Sequence, residues 1–390
     1  MLIRFGVANF KSFSSEQVLD LQADERFAEG LDANACLSAA PREPRILKAA
    51  ALFGPNASGK TNLLKAMRIL QRMVLREPMP DGREAMAALE PFAFVERPFE
   101  EPTSFELEVQ TAGARYAYSL SVQNGLVSRE SLRKKEPLGR WRQVFVRRSV
   151  KPLRTEDERK RFLDGTRDVL YEYRYGGQFP GPKKTWEALT PPDATFLGTA
   201  SLFAARTLMP LFAWFKNHLV VLDDPASWQA FRAIERLASD PDLRTAAVDV
   251  LKSADPSVSD IEVEKLWVPG GGLPADPFSG RCVVRGEPHE GFQIRLLHQT
   301  SGGVRTLPFS EESAGTRRML HLAVVLIENR KGDVTLFVDE PEASLHPVAV
   351  EQIVESFEDR TAAPGGSQLI MATHCESLLR TDERHRDSPL

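Results

Sequence analysis

The fold is decided by the stretch Gly54-Pro55-Asn56-Ala57-Ser58-Gly59-Lys60-Thr61. It matches the pattern G-x-x-x-x-G-K-[ST] in full. A glycine at each end allows the backbone to curl, so that successive N–H groups point inward at an anion. The lysine and the threonine that close the pattern add a cation and a hydroxyl group. The stretch therefore predicts a loop that cradles phosphate groups.

The flanking segments supply the structural context that such a loop needs. Residues 46–53 form a short apolar run, which predicts a buried strand. After the loop, apolar residues follow at the spacing of a helical stripe, at positions 63, 64, 67, 70 and 74. The positive N-terminus of that helix would point at the bound phosphates. A chance glycine-rich turn is the structural alternative, and the complete strand–loop–helix order disfavours it.

The loop predicts a site for ATP and Mg²⁺. Lys60 would place its charge between the β- and γ-phosphates, and the Thr61 hydroxyl would ligate Mg²⁺. The predicted nucleotide-binding residues of this segment are Gly54, Pro55, Asn56, Ala57, Ser58, Gly59, Lys60, Thr61 and Asn62.

A second signal is an apolar strand that ends in two carboxylates. Residues 334–338 read Val-Thr-Leu-Phe-Val, and Asp339 and Glu340 follow. We predict that Asp339 binds Mg²⁺, directly or through water. Glu340 is the predicted general base that polarises the attacking water. Solvated acids at the end of a strand are the structural alternative.

Two weaker signals complete the set. His374 follows a predicted strand at 368–372, where a histidine can hydrogen-bond a γ-phosphate and sense its loss. Ser313 and Gly315 come just before a predicted helix at 316–327, and small residues at a helix N-terminus make an anion site. The alternative for this second signal is an ordinary helix with Ser313 as its N-cap.

In their chain order these signals resemble the ABC ATPases, and more narrowly the SMC/RecF/OLD branch. The resemblance is carried by Asn9-Phe10-Lys11-Ser12-Phe13, by residues 53–61 and by Val338-Asp339-Glu340-Pro341-Glu342-Ala343-Ser344-Leu345-His346-Pro347. Within that branch the chain is most similar to the RloA- and PtuA-like AAA family ATPases of antiphage and abortive-infection systems. The resemblance covers about residues 1–125 and 257–378.

The resemblance implies an α/β fold, the head of an ABC ATPase, which is a P-loop NTPase. Such a head has a mixed sheet, an antiparallel β-subdomain and, here, an inserted helical and basic arm. It implies that Ser313 and Gly315 form the signature, which contacts the γ-phosphate held by a second chain, so that ATP is sandwiched in a homodimer. His374 would be the switch histidine, and 344–346 the D-loop beside the dimer axis. The glutamine of the family's Q-loop has no clear match, since Gln71 and Gln110 are both poor candidates.

The sequence predicts three parts. Residues 1–128 form ATPase lobe I with the phosphate loop and an antiparallel meander at 104–127, 129–256 an inserted basic and helical arm, and 257–390 lobe II with the signature, the acidic strand end and the switch histidine. Apolar residues at helical spacing predict helices in the arm at 202–215, 228–237 and 243–251. In the arm, residues 129–184 carry 17 lysines and arginines against 8 acidic residues, in a chain whose net charge is −4.

This basic block predicts a surface for nucleic acid or an acidic partner. Aromatic residues interleave with it and suit stacking on unpaired bases; they are Trp141, Phe145, Tyr171, Tyr173 and Tyr175. A solvated face, with the tyrosines in the core, is the structural alternative.

The function expected from these features is ATP binding and hydrolysis by the sensor subunit of an antiphage system. Only 16 residues follow His374, too few for the nuclease domain of OLD-type chains, so a separate effector such as a nuclease is expected. Alternatives are a RecF-like DNA-repair ATPase that binds DNA directly, a transporter motor subunit, and an ATP-bound scaffold. No apolar run reaches the roughly 18 residues of a membrane helix. Three scattered cysteines predict a reducing, cytoplasmic location.

Overall fold

The structure, a computed structural model, divides the chain into two compact units. The first unit is Met1–Val221 with Arg386–Leu390, and the second is Leu222–His385. The residues described are 1–24, 36–37, 44–79, 81–95, 100–150, 158, 161, 169–177, 179–222, 236–268, 289–330, 332–343, 350–351, 354–355, 357, 366–375 and 378. The D-loop prediction at 344–346 lies outside these residues, as does nearly all of a helix predicted at 228–237.

The strands of the first unit are β1 Leu2–Ala8, β2 Gln17–Asp20, β3 Cys36–Leu37, β4 Ile46–Leu47, β5 Ala49–Leu52, β6 Thr103–Thr111, β7 Ala114–Gln123, β8 Leu126–Lys135, β9 Arg142–Ser149, β10 Tyr171–Tyr175 and, at the boundary, β11 Leu219–Leu222. Its helices are α1 Lys60–Leu75, α2 Lys183–Leu189, α3 Phe196–Leu202 and α4 Met209–Ala213, followed by a π-helix at Trp214–His218.

Seven antiparallel strands form the main sheet of the first unit, in the order β10-β9-β8-β7-β6-β1-β2. Alternate residues such as Phe105, Leu107, Tyr116 and Tyr118 are buried, because successive side chains of a strand point to opposite faces. The antiparallel meander predicted at 104–127 is confirmed. Helix α1 follows the phosphate loop, and its stripe of apolar positions is buried as predicted.

The described part of the basic block consists mainly of strands. β8, β9 and β10 continue the same sheet as the meander, and the predicted boundary at residue 128 falls inside β8. The sequence had indicated no strands within residues 129–184, because the high charge masked their alternation. The three-part division of the chain itself stays a prediction.

The tyrosines of β10 belong to the inner face of the sheet. The ring of Tyr173 lies 5.3 Å from that of Phe196 and the ring of Tyr175 lies 6.0 Å from it, measured between centroids. The Tyr171 hydroxyl donates to the Val127 carbonyl over 2.7 Å. These contacts favour the core alternative over a stacking platform for bases.

One predicted helix, at residues 202–215, is interrupted in the structure. The sequence indicated a continuous helix at 202–215, but α3 ends at Leu202 and α4 begins at Met209. Ala204 adopts a positive φ of 57° in the intervening turn. Pro210 lies in the first turn of α4, where its missing N–H costs nothing, whereas inside a longer helix it would remove a backbone hydrogen bond.

The second unit contains α5 Pro241–Ala254, β12 Val258–Val268, β13 His289–Thr300, β14 Gly303–Pro308, α6 Ala314–Arg330, β15 Thr335–Asp339 and β16 Gln368–Ala372. Strands β12, β13 and β14 form an antiparallel sheet, and α5 packs against α6 and β12. Strands β15 and β16 are parallel and fully apolar at their centres, with Leu336 and Ile370 completely buried. Parallel and antiparallel pairs together give the mixed α/β fold that was predicted.

Candidate functional site

The phosphate loop closes on its own lysine. The Lys60 ammonium donates to the Gly54 carbonyl over 2.8 Å and to the Pro55 carbonyl over 3.2 Å. Lys60 is also the first residue of α1, a helix of 16 residues. The cation and the helix N-terminus therefore meet at the same loop, which is the arrangement that binds a polyphosphate.

Glycine is required at position 59. Its φ of 103° lies in the left-handed region, and a Cβ added there would overlap the ring of Phe13. Beside it, Asn62 donates from Nδ2 to the Ser12 hydroxyl over 2.8 Å. The segment at 9–13 thus packs directly on the loop. Lys11 is engaged by Glu90, with Nζ and Oε2 2.7 Å apart.

The acidic residues Asp339 and Glu340 end β15, next to the end of β16. Asp339 pairs with Ala372, and the Glu340 N–H donates to the Ala372 carbonyl over 2.8 Å. Glu340 has a φ of 46°, a conformation uncommon for a residue with a side chain. Strained backbone of this kind clusters at functional sites. Because β15 and β16 are parallel, the structure brings Asp339, Glu340 and His374 to one edge of this pair.

Glu342 is a site residue for which the sequence had predicted no role. Its Oε1 accepts from the His374 N–H over 2.5 Å, and its Oε2 accepts from the Thr373 hydroxyl over 2.7 Å. Thr373 is buried, whereas His374 is exposed. One carboxylate therefore fixes the backbone from which His374 projects. The sequence feature that could have indicated this role is the position of Glu342, two residues after Glu340 in the stretch 338–347.

Ser313 caps helix α6. Its hydroxyl accepts from the Thr316 N–H over 3.0 Å, and its carbonyl accepts from the Arg317 N–H over 3.1 Å. The structural alternative of an N-cap is thus present, and the exposed side chain remains accessible to a ligand. For a Cβ at Gly315, the closest described atom would be the Ser313 Oγ at 3.6 Å, an ordinary contact.

Gln71 serves a structural role. Its amide donates to the carbonyls of Phe215 and Leu219 over 2.7 and 2.9 Å, and it accepts from Arg68 over 2.9 Å. Its side chain is buried, and both the nitrogen and the oxygen of its amide group are hydrogen-bonded within the protein. This agrees with the expectation that Gln71 is not the Q-loop glutamine.

A comparison with known protein families identifies the family of this chain. The family described as "AAA domain, putative AbiEii toxin, Type IV TA system" matches residues 49–380. The chain belongs to this family. The match includes residues 54–62, Ser313, Gly315, Asp339, Glu340 and His374, and the predicted membership of the P-loop ATPases of SMC/RecF/OLD type is confirmed. None of the described helices is long and apolar enough to cross a membrane.

Individual relatives are more distant. The chain is 34% identical over 74 residues to the Old nuclease of Escherichia phage P2, a match that covers 17% of this chain and only 12% of the phage protein. Similar solved structures include an SMC head bound to the C-terminal winged-helix domain of ScpA, which covers 95% of this chain and 89% of that one, and RecF with ATP, which covers 96% and 93%. Both are 14% identical to this chain, with a TM-score of 0.40.

Proposed function

We propose that this chain binds ATP with Mg²⁺ and hydrolyses it, at a site completed by a second copy of the chain. The observation that carries the proposal is the loop closed on Lys60 at the N-terminus of α1, in a chain of an AAA-domain family. Residues 54–62 would hold the phosphates, and Thr61 and Asp339 would hold Mg²⁺. When bound, the ion neutralises phosphate charge.

The other predicted residues take the chemical roles. Glu340 orients the attacking water and accepts its proton. His374 donates a hydrogen bond to the γ-phosphate and registers its departure. Glu342 holds the backbone at His374 in place through the two contacts described above, so that the histidine is presented in one orientation.

Gly315 supports a site shared between two chains. Glycine in a helix costs about 1 kcal/mol relative to alanine. Among the described residues nothing would crowd a methyl group at this position, so the packing of those residues gives no reason for glycine. Close approach of a ligand held by another chain does give one. In a twofold dimer each chain would present Ser313 and Gly315 to the ATP held by Lys60 of its partner.

In the cell we propose a sensor ATPase of an antiphage system that works with a separate effector such as a nuclease. Support comes from the family description, which names a putative AbiEii toxin, and from the short similarity to the Old nuclease. Hydrolysis would loosen the dimer and transmit the nucleotide state to the effector. A cytoplasmic location belongs to this proposal.

A RecF-like ATPase that binds DNA directly is the second candidate. Arg129 and Arg148 lie directly opposite each other on β8 and β9, and both are exposed. Like charges in this position repel each other, so the pair suits a polyanion on the outer face of the sheet. Salt-sensitive binding of duplex DNA by the chain alone, measured by fluorescence anisotropy, would favour this candidate. Its absence would exclude it.

Lys60→Ala is expected to weaken ATP binding by roughly ten- to hundredfold, because hydrogen bonds to a charged group contribute about 1.5 to 3 kcal/mol. Calorimetric titration with ATP and Mg²⁺ measures the change. Lys65→Ala is the matched control, since Lys65 is exposed on the same helix and lies outside the loop. Equal affinities of wild type and folded Lys60→Ala would refute the nucleotide site.

A further inference from the structure

His298 connects three segments of the second unit through one run of hydrogen bonds. Its Nδ1 lies 2.9 Å from the hydroxyl of Ser257, which in turn donates to Asp255 over 2.6 Å. Its Nε2 lies 2.8 Å from Oε1 of Glu312. Asp255 caps the end of α5, His298 is on β13, and Glu312 comes two residues before α6. The run therefore ties α5 and the sheet to the start of α6.

The protons in this run can be assigned from the donors. A serine hydroxyl carries one hydrogen, and Ser257 gives it to the Asp255 carboxylate, so Ser257 must accept from Nδ1–H of His298. Hydrogen bonding from Ser257 lowers the pKa of Asp255, in keeping with a carboxylate acceptor at that end. On the other side, the 2.8 Å contact between Nε2 and Oε1 of Glu312 is a hydrogen bond that orders both side chains.

This contact is shielded from water and adjoins the signature. The side chains of His298 and Glu312 are 16% and 5% exposed. The next residue, Ser313, is exposed and caps α6 with its hydroxyl. A buried and bonded carboxylate one residue before an exposed cap restricts where that cap can point.

We infer that His298 and Glu312 are positioning residues for the signature. Their bond sets the orientation in which Ser313 and Gly315 meet the nucleotide of a second chain. Neither residue contacts the nucleotide, so the pair acts through the first turn of α6. This inference rests on the proposed function, since it assigns Ser313 and Gly315 to the shared ATP site.

His298→Ala is expected to lower kcat for ATP hydrolysis roughly tenfold or more, as loss of a buried hydrogen bond between ionisable groups implies. ATP affinity should change by less than about twofold, because neither residue is among those proposed to hold the phosphates or Mg²⁺. Glu312→Ala should match His298→Ala, and the double variant should be no worse than either single one. Glu312→Gln, which keeps a partner for Nε2, should retain most of the activity.

A second readout separates this inference from the proposed function. Amide hydrogen exchange at Thr316 and Arg317, whose N–H groups bind Ser313, should accelerate in His298→Ala whether or not the protein turns over ATP. Arg295→Ala is the matched control, because Arg295 pairs with Glu264 over 3.2 Å on the same sheet. If the wild-type protein does not hydrolyse ATP, the proposed function is refuted. The amide hydrogen exchange would still test whether His298 and Glu312 order the start of α6. Unchanged exchange in His298→Ala, unchanged kcat in an active protein, or an equal loss in Arg295→Ala would overturn the positioning role.

Discussion

Glu340→Gln is expected to lose ATP turnover by about 100- to 10,000-fold, the contribution typical of a general base. The amide cannot accept a proton from water, yet it has almost the same size and shape as the carboxylate. The backbone contacts that hold residue 340 at a φ of 46°, to Ala372 and Ala343, involve no side-chain atom and should persist. ATP affinity should therefore be retained, and the variant should accumulate in its ATP-bound state.

Single-turnover hydrolysis and calorimetry measure the two quantities separately. Glu264→Gln is the control, because it makes the same chemical change on an exposed side chain of the second unit. Wild-type turnover in Glu340→Gln would show that another group orients the water. Loss of affinity together with turnover would point to a binding role for this carboxylate.

Arg147→Ala is expected to lower the free energy of unfolding by about 3 to 5 kcal/mol, because it leaves the buried carboxyl group of Glu130 without its partner. Arg147 and Glu130 are directly opposite on β9 and β8, fully buried, with Nη1 and Oε2 3.8 Å apart. Glu130 also accepts from the N–H groups of Phe196 and Leu197 over 2.6 and 2.9 Å. The pair thus joins the sheet to the N-terminus of α3. Urea denaturation measures the change.

The loss of unfolding free energy in Arg147→Ala should become larger as the pH rises. Burial raises the pKa of Glu130 above its ordinary value, and the Arg147 charge opposes that rise. Without Arg147 the pKa rises further, so the folded variant holds a proton that the unfolded chain releases. As the pH rises, the stability gap to wild type should therefore widen above the pKa that Glu130 has in folded wild type, and stop widening once the higher pKa of the variant is passed.

Two variants bracket this prediction. Adding Glu130→Gln to Arg147→Ala should restore part of the stability and remove the pH dependence, because no carboxylate is left to ionise. Arg148→Ala, an exposed neighbour on the same strand, should change stability by less than about 0.5 kcal/mol. A small and pH-independent effect of Arg147→Ala would contradict the stabilising role of the buried Arg147–Glu130 pair.

Sequence patterns predicted those elements whose periodicity is undisturbed. The stripe of α1, the meander of β6 and β7 and the apolar strands β15 and β16 were all found where expected. Strand β9 was missed because a buried arginine, Arg147, occupies an inward position that pattern reasoning expects to be apolar. Its burial depends on Glu130 in another strand and on the carbonyls of Pro191 and Ala194, contacts that no local pattern shows.

The candidate site divides in the same way. Residues 54–61, Asp339 and Glu340 are specified by short motifs, since each motif carries its own strand or helix. Glu342 contacts Thr373 and His374, which lie 31 and 32 residues further along the chain. His298 contacts Glu312, which lies 14 residues further along. Such partners become visible only when the strands are paired, which is why the sequence indicated no role for them.

The central claim is that two chains build each ATP site, and mixing two inactive variants tests it most directly. Lys60→Ala lacks the phosphate loop cation, and Ser313→Arg blocks the signature. A mixed dimer would contain one site made from the intact loop of one chain and the intact signature of the other. Statistical mixing should restore about one quarter of the wild-type sites. Recovery of single-turnover hydrolysis to about that level is the predicted result, and no recovery in a sample shown to contain mixed dimers would contradict it.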